Sequence, residues 1–120
     1  MAANASSPEA LPRANSRLLS AAGTVNATIV KASAAQLFEL IGYNARASAV
    51  YFKLYDKATS PDENDTPTHT IYLPASSAFA IPLNFYFPSG LSYRMTTAGA
   101  DNSTAALTAA DILALNVIYT

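Results

Sequence analysis

Few residues of this chain have the chemistry and spacing of a catalytic site. His69 is the only histidine in 120 residues, and there is no cysteine. A Ser-His-Asp triad would therefore have to use His69, while serine and aspartate are too frequent here for their presence to indicate one. A histidine at the edge of a strand is the simpler interpretation. The sequence predicts no catalytic residue, and hence a protein that is not an enzyme.

The acidic loop SPDENDTPT, residues 60–68, is the best candidate for a metal site. Oxygen-rich loops can bind calcium, but this one lacks the alternating Asp/Asn spacing, the glycine and the distant glutamate of a calcium loop. Glu39, the one acid within an apolar strand, has no identifiable partner. The four glycines are scattered, so no phosphate-binding loop is present. The sequence predicts no metal and no cofactor.

The low charge of the chain bears on its partners. Charged residues make up 12% of the chain and the net charge is −1, against about 25% charged residues in an average soluble domain. No basic stripe suits nucleic acid, and no apolar run is long enough for a membrane span. A surface so poor in charge favours association with other proteins.

Short apolar segments alternate with turn-like residues along most of the chain, which predicts an all-β, antiparallel β-sandwich (jelly-roll or Ig-like) of about eight strands. The segment Ala105–Leu115 could instead contain a short helical turn, with Thr108 as its cap. Residues 17–120 form the predicted domain, and residues 1–16, with Pro8 and Pro12, are predicted to be an extended N-terminal arm. The predicted strands are Arg17–Ser20, Thr28–Ala32, Gln36–Tyr43, Ala49–Asp56, His69–Leu73, Phe79–Leu83, Leu91–Thr96 and Leu113–Tyr119.

The segment YFKLYDK, residues 51–57, places large side chains on both faces of a strand. Phe52 and Leu54 would enter the core, leaving Tyr51, Lys53 and Tyr55 on the other face. Strand 36–43 is likewise apolar on both faces, so an external cover is expected for each. For the tyrosines of 51–57 the cover could be a neighbouring subunit, a loop or the arm; we predict a subunit interface formed by Leu11, Tyr51, Lys53 and Tyr55.

Three blocks of sequence carry a resemblance to a known class of protein: IGYNARASAVYFKLYDKATSP at 41–61, DTPTHTIYLPA at 65–75 and GLSYRMTTAGADNSTAALTAADILALNVIYT at 90–120. Together with NATIVKAS at 26–33, they resemble the small β-sandwich structural proteins of virions of tailed bacteriophages and prophages. The resemblance covers about residues 17–120.

This resemblance implies a structural protein on the capsid surface of a virion, made in the cytoplasm of the bacterial host. The function expected from it is that of a capsid cement or decoration protein, which binds the major capsid protein and is a homo-oligomer, with a trimer favoured. The alternative is a receptor- or carbohydrate-binding module on a tail or fibre. Because similar sandwiches serve at several virion positions, the fold does not choose between the two.

Overall fold

The computed structural model describes residues 12–120, and within this range the chain is all-β with no helix. Every predicted strand is present, several of them longer than predicted, and residues 109–110 form a turn rather than a helix. None of the described segments is a helix that could span a membrane. The strands are β1 (Ala14–Ser20), β2 (Thr28–Lys31), β3 (Ala35–Asn44), β4 (Val50–Asp56), β5 (His69–Leu73), β6 (Ser77–Phe87), β7 (Leu91–Thr96) and β8 (Ile112–Tyr119).

The predicted boundary between arm and domain at residue 16 needs correction. Strand β1 begins at Ala14, and Ser16 lies opposite Val117 of β8. Residues 14–16 therefore belong to the sheet, because the backbone of β8 continues to Tyr119 and offers them pairing partners. The rest of the predicted arm up to residue 11 lies outside the described residues.

The strands form two antiparallel four-stranded sheets. The first sheet has the order β1-β8-β3-β6 and the second has the order β2-β7-β4-β5. Six strand pairs are hydrogen-bonded, and four of them, β1 with β8, β2 with β7, β3 with β6 and β4 with β5, are nested one inside the next along the chain. Such nested pairing is what results when one long antiparallel hairpin is folded over on itself.

One hydrophobic core lies between the two sheets. It joins side chains of the first sheet, such as Leu40 and Val117, to side chains of the second, such as Phe52 and Met95. The rings of Phe52 and Tyr93 stack within it at a centroid distance of 4.7 Å. These positions follow the alternation predicted for Phe52 and Leu54, since one face of each strand must leave water.

Two irregularities change which residues face the core. The register of β3 shifts between Leu37 and Glu39, so Leu37 is buried in the core, whereas uninterrupted alternation would place it on the outer face with Ile41. In β8, Ala114 has a φ of 50°, and Leu113 consequently lies opposite Tyr43 on the outer face. A bulge inserts one residue and so reverses the alternation beyond it.

Asn44 ties the two sheets together at one end. Its side chain is fully buried, and its Nδ2 donates to the carbonyl oxygens of Leu73 at the end of β5 (3.1 Å), of Pro74 (3.1 Å) and of Ser48 (3.2 Å). Its Oδ1 accepts a hydrogen bond from the backbone N–H of Arg46 at 2.9 Å. A buried amide with all its partners fixes the positions of three chain segments at once.

Candidate functional site: the outer face of the first sheet

The outer face of β4, where the sequence predicts an interface, is covered by the chain's own loop between β7 and β8. Lys53 is 0% exposed and Tyr55 is 1% exposed. The Lys53 Nζ donates to the carbonyl oxygen of Ala100 in this loop. The ring of Tyr51 lies so close to Gly99 that a Cβ there would be 3.2 Å from it. The cover is therefore a loop, one of the alternatives that the sequence left open.

The predicted interface residues are corrected accordingly. Lys53 and Tyr55 have no exposed surface with which to contact a neighbouring subunit, because the loop between β7 and β8 lies over them. Tyr51 is half-buried and meets Tyr72 of β5 edge to face, with ring centroids 5.6 Å apart. Leu11 lies outside the described residues.

Two buried cations lie side by side under the loop. Lys53 is directly opposite Arg94 of β7, whose Nη2 donates to the carbonyl oxygen of Ser103 at 2.7 Å and whose Nη1 donates to the Tyr55 hydroxyl at 3.2 Å. Burial, and secondly the charge of Arg94, lowers the pKa of the Lys53 ammonium, while Asp101 opposes this shift. Through their hydrogen bonds to the loop carbonyls, both cations hold the loop in place.

The outer face of the first sheet, by contrast, has no such cover from the described part of the chain. Tyr43 of β3 is 40% exposed, and Ile41 of β3 and Tyr86 of β6 are also exposed. Single exposed apolar residues are ordinary, but several on one sheet face, with the half-buried Phe38 between them, indicate an interaction surface. We call this surface the β3 face; its residues are Arg17, Gln36, Phe38, Glu39, Ile41, Tyr43, Ala78, Ala80, Pro82, Asn84, Tyr86, Leu113, Asn116 and Ile118.

The strand register makes the β3 face continuous. Ile41 lies between Asn116 of β8 and Ala80 of β6, and Tyr43 lies between Leu113 and Ala78 in the same way. Neighbouring strands are about 4.8 Å apart, so side chains in one such row touch. Large residues of β3 therefore stand beside small alanines of β6, and the face has a ridge flanked by a hollow.

Charges lie at one side of the β3 face. The guanidinium of Arg13 stacks on the ring of Phe38 at 3.9 Å, and Arg17 is exposed on β1. Glu39 is half-buried in β3, and within residues 12–120 its carboxylate forms no ion pair. Both signs of charge are thus present on one predominantly apolar surface.

The residues considered for catalysis and for metal binding are separated from one another. The His69 ring stacks on Phe85 at a centroid distance of 3.7 Å, which closes the edge of the core between β5 and β6. Asp65 pairs with Lys57 at 2.7 Å, and this hydrogen bond lowers the pKa of the Asp65 carboxyl. The described residues contain neither a cluster of three metal-ligating side chains nor a cavity of ligand size.

The sequence did not single out the residues of the β3 face as an interface. The sequence did predict an external cover for strand Gln36–Tyr43, because this strand carries large apolar groups on both faces. It did not predict which outer face, that of β3 or that of β4, is covered by the chain's own loop, because that depends on where the loop between β7 and β8 folds back.

Comparison of the chain with models of protein families, with curated proteins and with solved structures finds no match.

Proposed function

We propose that this protein is a structural protein of a bacteriophage virion, a capsid cement or decoration protein that works in contact with other protein subunits. The observation that carries the proposal is the β3 face, a predominantly apolar surface in a chain with little charge. Apolar sheet surfaces bury well against other proteins and, without a cavity, offer little to orient a small ligand.

The strand order supports the finer description of the fold as a jelly roll. Nested pairs β1·β8, β2·β7, β3·β6 and β4·β5, divided between two sheets, favour an eight-stranded jelly roll over an Ig-like sandwich. Jelly rolls occur in viral capsid proteins, and also in lectins and cupins. The fold is therefore compatible with the proposal but does not distinguish it from other functions, so the support for the proposal comes from the surface.

The exposed tyrosines favour a protein contact over a sugar-binding module. Tyr43 and Tyr86 lie on the first sheet, whereas Tyr72, 59% exposed, lies on the second. Sugar-binding aromatics would be expected to converge on one groove with polar side chains beside them. Here they are distributed over two outer faces, as expected for a protein with neighbours on more than one side.

The test is to locate the protein on particles. Virions from a lysate of the host are labelled with an antibody against this chain and viewed by negative-stain electron microscopy, with virions lacking the gene as the control. We expect label on the capsid facets. Label confined to tails or fibres would support the alternative module instead, and particles that carry no label would refute a structural role in the virion.

A further inference from the structure

We propose that the β3 face binds the same face of a second copy of this chain, in a twofold pair. This inference concerns the isolated protein and goes beyond the virion role, because it would hold whatever particle the protein serves; it replaces the trimer expected from the resemblance with a twofold pair. It follows from three properties of the β3 face and of strand β1 beside it: the positions of the exposed apolar residues, the positions of the charges, and the available area.

The exposed apolar residues occupy two strands that a twofold axis would bring together. Leu19 of β1 is 67% exposed, and Ile41 and Tyr43 are exposed on β3, with β8 between the two strands. An axis parallel to β8 places β1 of one copy on β3 of the other. Leu19 and Tyr43 lie at nearly the same position along the strand direction, since Ser20 and Tyr43 both lie opposite Leu113. Leu19 of each copy would then cover Tyr43 of the other.

The charges match in the same arrangement. Arg17 of β1 and Ile41 of β3 both lie opposite Asn116, so they have the same position along the strand direction. Glu39 lies two residues before Ile41 in β3. The Arg17 side chain of one copy can lie along Ile41 of the other and reach its Glu39. In a twofold interface each contact is made twice, so both Glu39 carboxylates gain an arginine partner.

The available area predicts a reversible pair. Three overlapping strands, about 4.8 Å apart with a rise of about 3.3 Å per residue, cover roughly 350 Å² of sheet plane per copy. With side-chain relief, the two copies together bury on the order of 1,000 Å², near the lower limit for a specific interface. Association should therefore depend on concentration. Strand β6 with Tyr86 stays outside the overlap and is free for other partners.

The test measures the mass of the purified full-length chain by analytical ultracentrifugation across the micromolar range. We expect a reversible monomer–dimer equilibrium. Tyr43→Ser and Leu19→Ser should each weaken it at least tenfold, whereas the matched control Tyr72→Ser, on the second sheet, should leave it unchanged. Circular dichroism confirms that each variant is folded.

Charge reversal tests the arrangement itself. Arg17→Glu or Glu39→Arg alone should weaken the dimer, and the double variant should restore it, because the pair is re-formed with opposite polarity. A protein that stays monomeric, a trimer, an equal loss in Tyr72→Ser, or reversals without mutual rescue would each overturn the proposal. None of these results depends on whether antibody labels the capsid, so this inference and the proposed function can fail separately.

Discussion

Replacement of Asn44 by alanine should be among the most damaging single changes in this protein, although Asn44 is a polar residue. The substitution removes the Nδ2 donor to Leu73, Pro74 and Ser48 and the Oδ1 acceptor of the Arg46 N–H. Water cannot easily replace these partners, since Asn44 is fully buried. The change therefore leaves buried backbone groups unsatisfied where the two sheets are joined.

The size of the effect follows from the number of groups left without a partner. The hydrogen bond to the Leu73 carbonyl is buried and the other three are partly buried, and an unsatisfied buried group costs about 1–3 kcal/mol. The buried carbonyl and the smaller losses at the partly buried groups together give a loss of about 3–4 kcal/mol in the free energy of unfolding, out of a total of about 5–15 kcal/mol. For a domain of this size that corresponds to a fall in Tm of roughly 15 °C.

The assay is urea unfolding followed by circular dichroism, with Asn116→Ala as the matched control. Asn116 also makes side-chain hydrogen bonds, to Ala114 (2.9 Å) and Asn15 (2.8 Å), but both are exposed. Water can take over these bonds, so the control should lose less than about 1 kcal/mol. If the two variants lose the same stability, burial does not decide the cost and the reasoning is refuted.

Three further predictions concern stability and the arm. Because burial and the charge of Arg94 lower the pKa of Lys53 in the folded state, the folded protein loses this proton at a lower pH than the unfolded chain does; stability should therefore rise as the pH increases from that lowered pKa to the ordinary lysine pKa of about 10.4, and Lys53→Met should flatten this rise in urea titrations. Ala114→Gly should raise stability by about 0.5–1 kcal/mol, because alanine is strained at a φ of 50°, whereas Ala80→Gly in regular β6 should lower it by a similar amount. Deleting residues 1–11 should leave Tm unchanged, because β1 stays intact, but should weaken co-sedimentation with capsid shells; binding equal to that of the full chain would contradict a role for the arm.

The strands could be predicted from sequence because each is bounded by turn residues and shows alternation or a short apolar run. His69–Leu73 and Leu91–Thr96 were predicted to the residue. In β7, apolar and polar residues alternate as in a half-buried strand, yet both of its faces are buried, since Arg94 and Thr96 lie under the loop. Alternation shows which residues share a face, but it does not show what lies above that face.

The bulges limited the prediction of the site. Ala114 carries no local signal for a positive φ, since glycine or asparagine is the usual residue there. Asn26, with a φ of 53°, is the kind of residue that does signal such a turn. Without the shift at Ala114, Leu113 would be assigned to the core and the β3 face would lose the neighbour of Tyr43.

One physical reason explains why a loop covers the outer face of β4 but not that of β3 within residues 12–120. The outer face of β4 presents cations, Lys53 together with Arg94 beside it, and loop carbonyls of the same chain satisfy them at short range. The outer face of β3 presents mainly apolar groups, which require burial but specify no particular hydrogen-bonding partner. A polar loop cannot cover such a face without leaving its own backbone groups unpaired, whereas a second apolar sheet face can. The same physical chemistry that closes β4 thus leaves β3 without a loop cover within residues 12–120, as the proposed pairing of two copies requires.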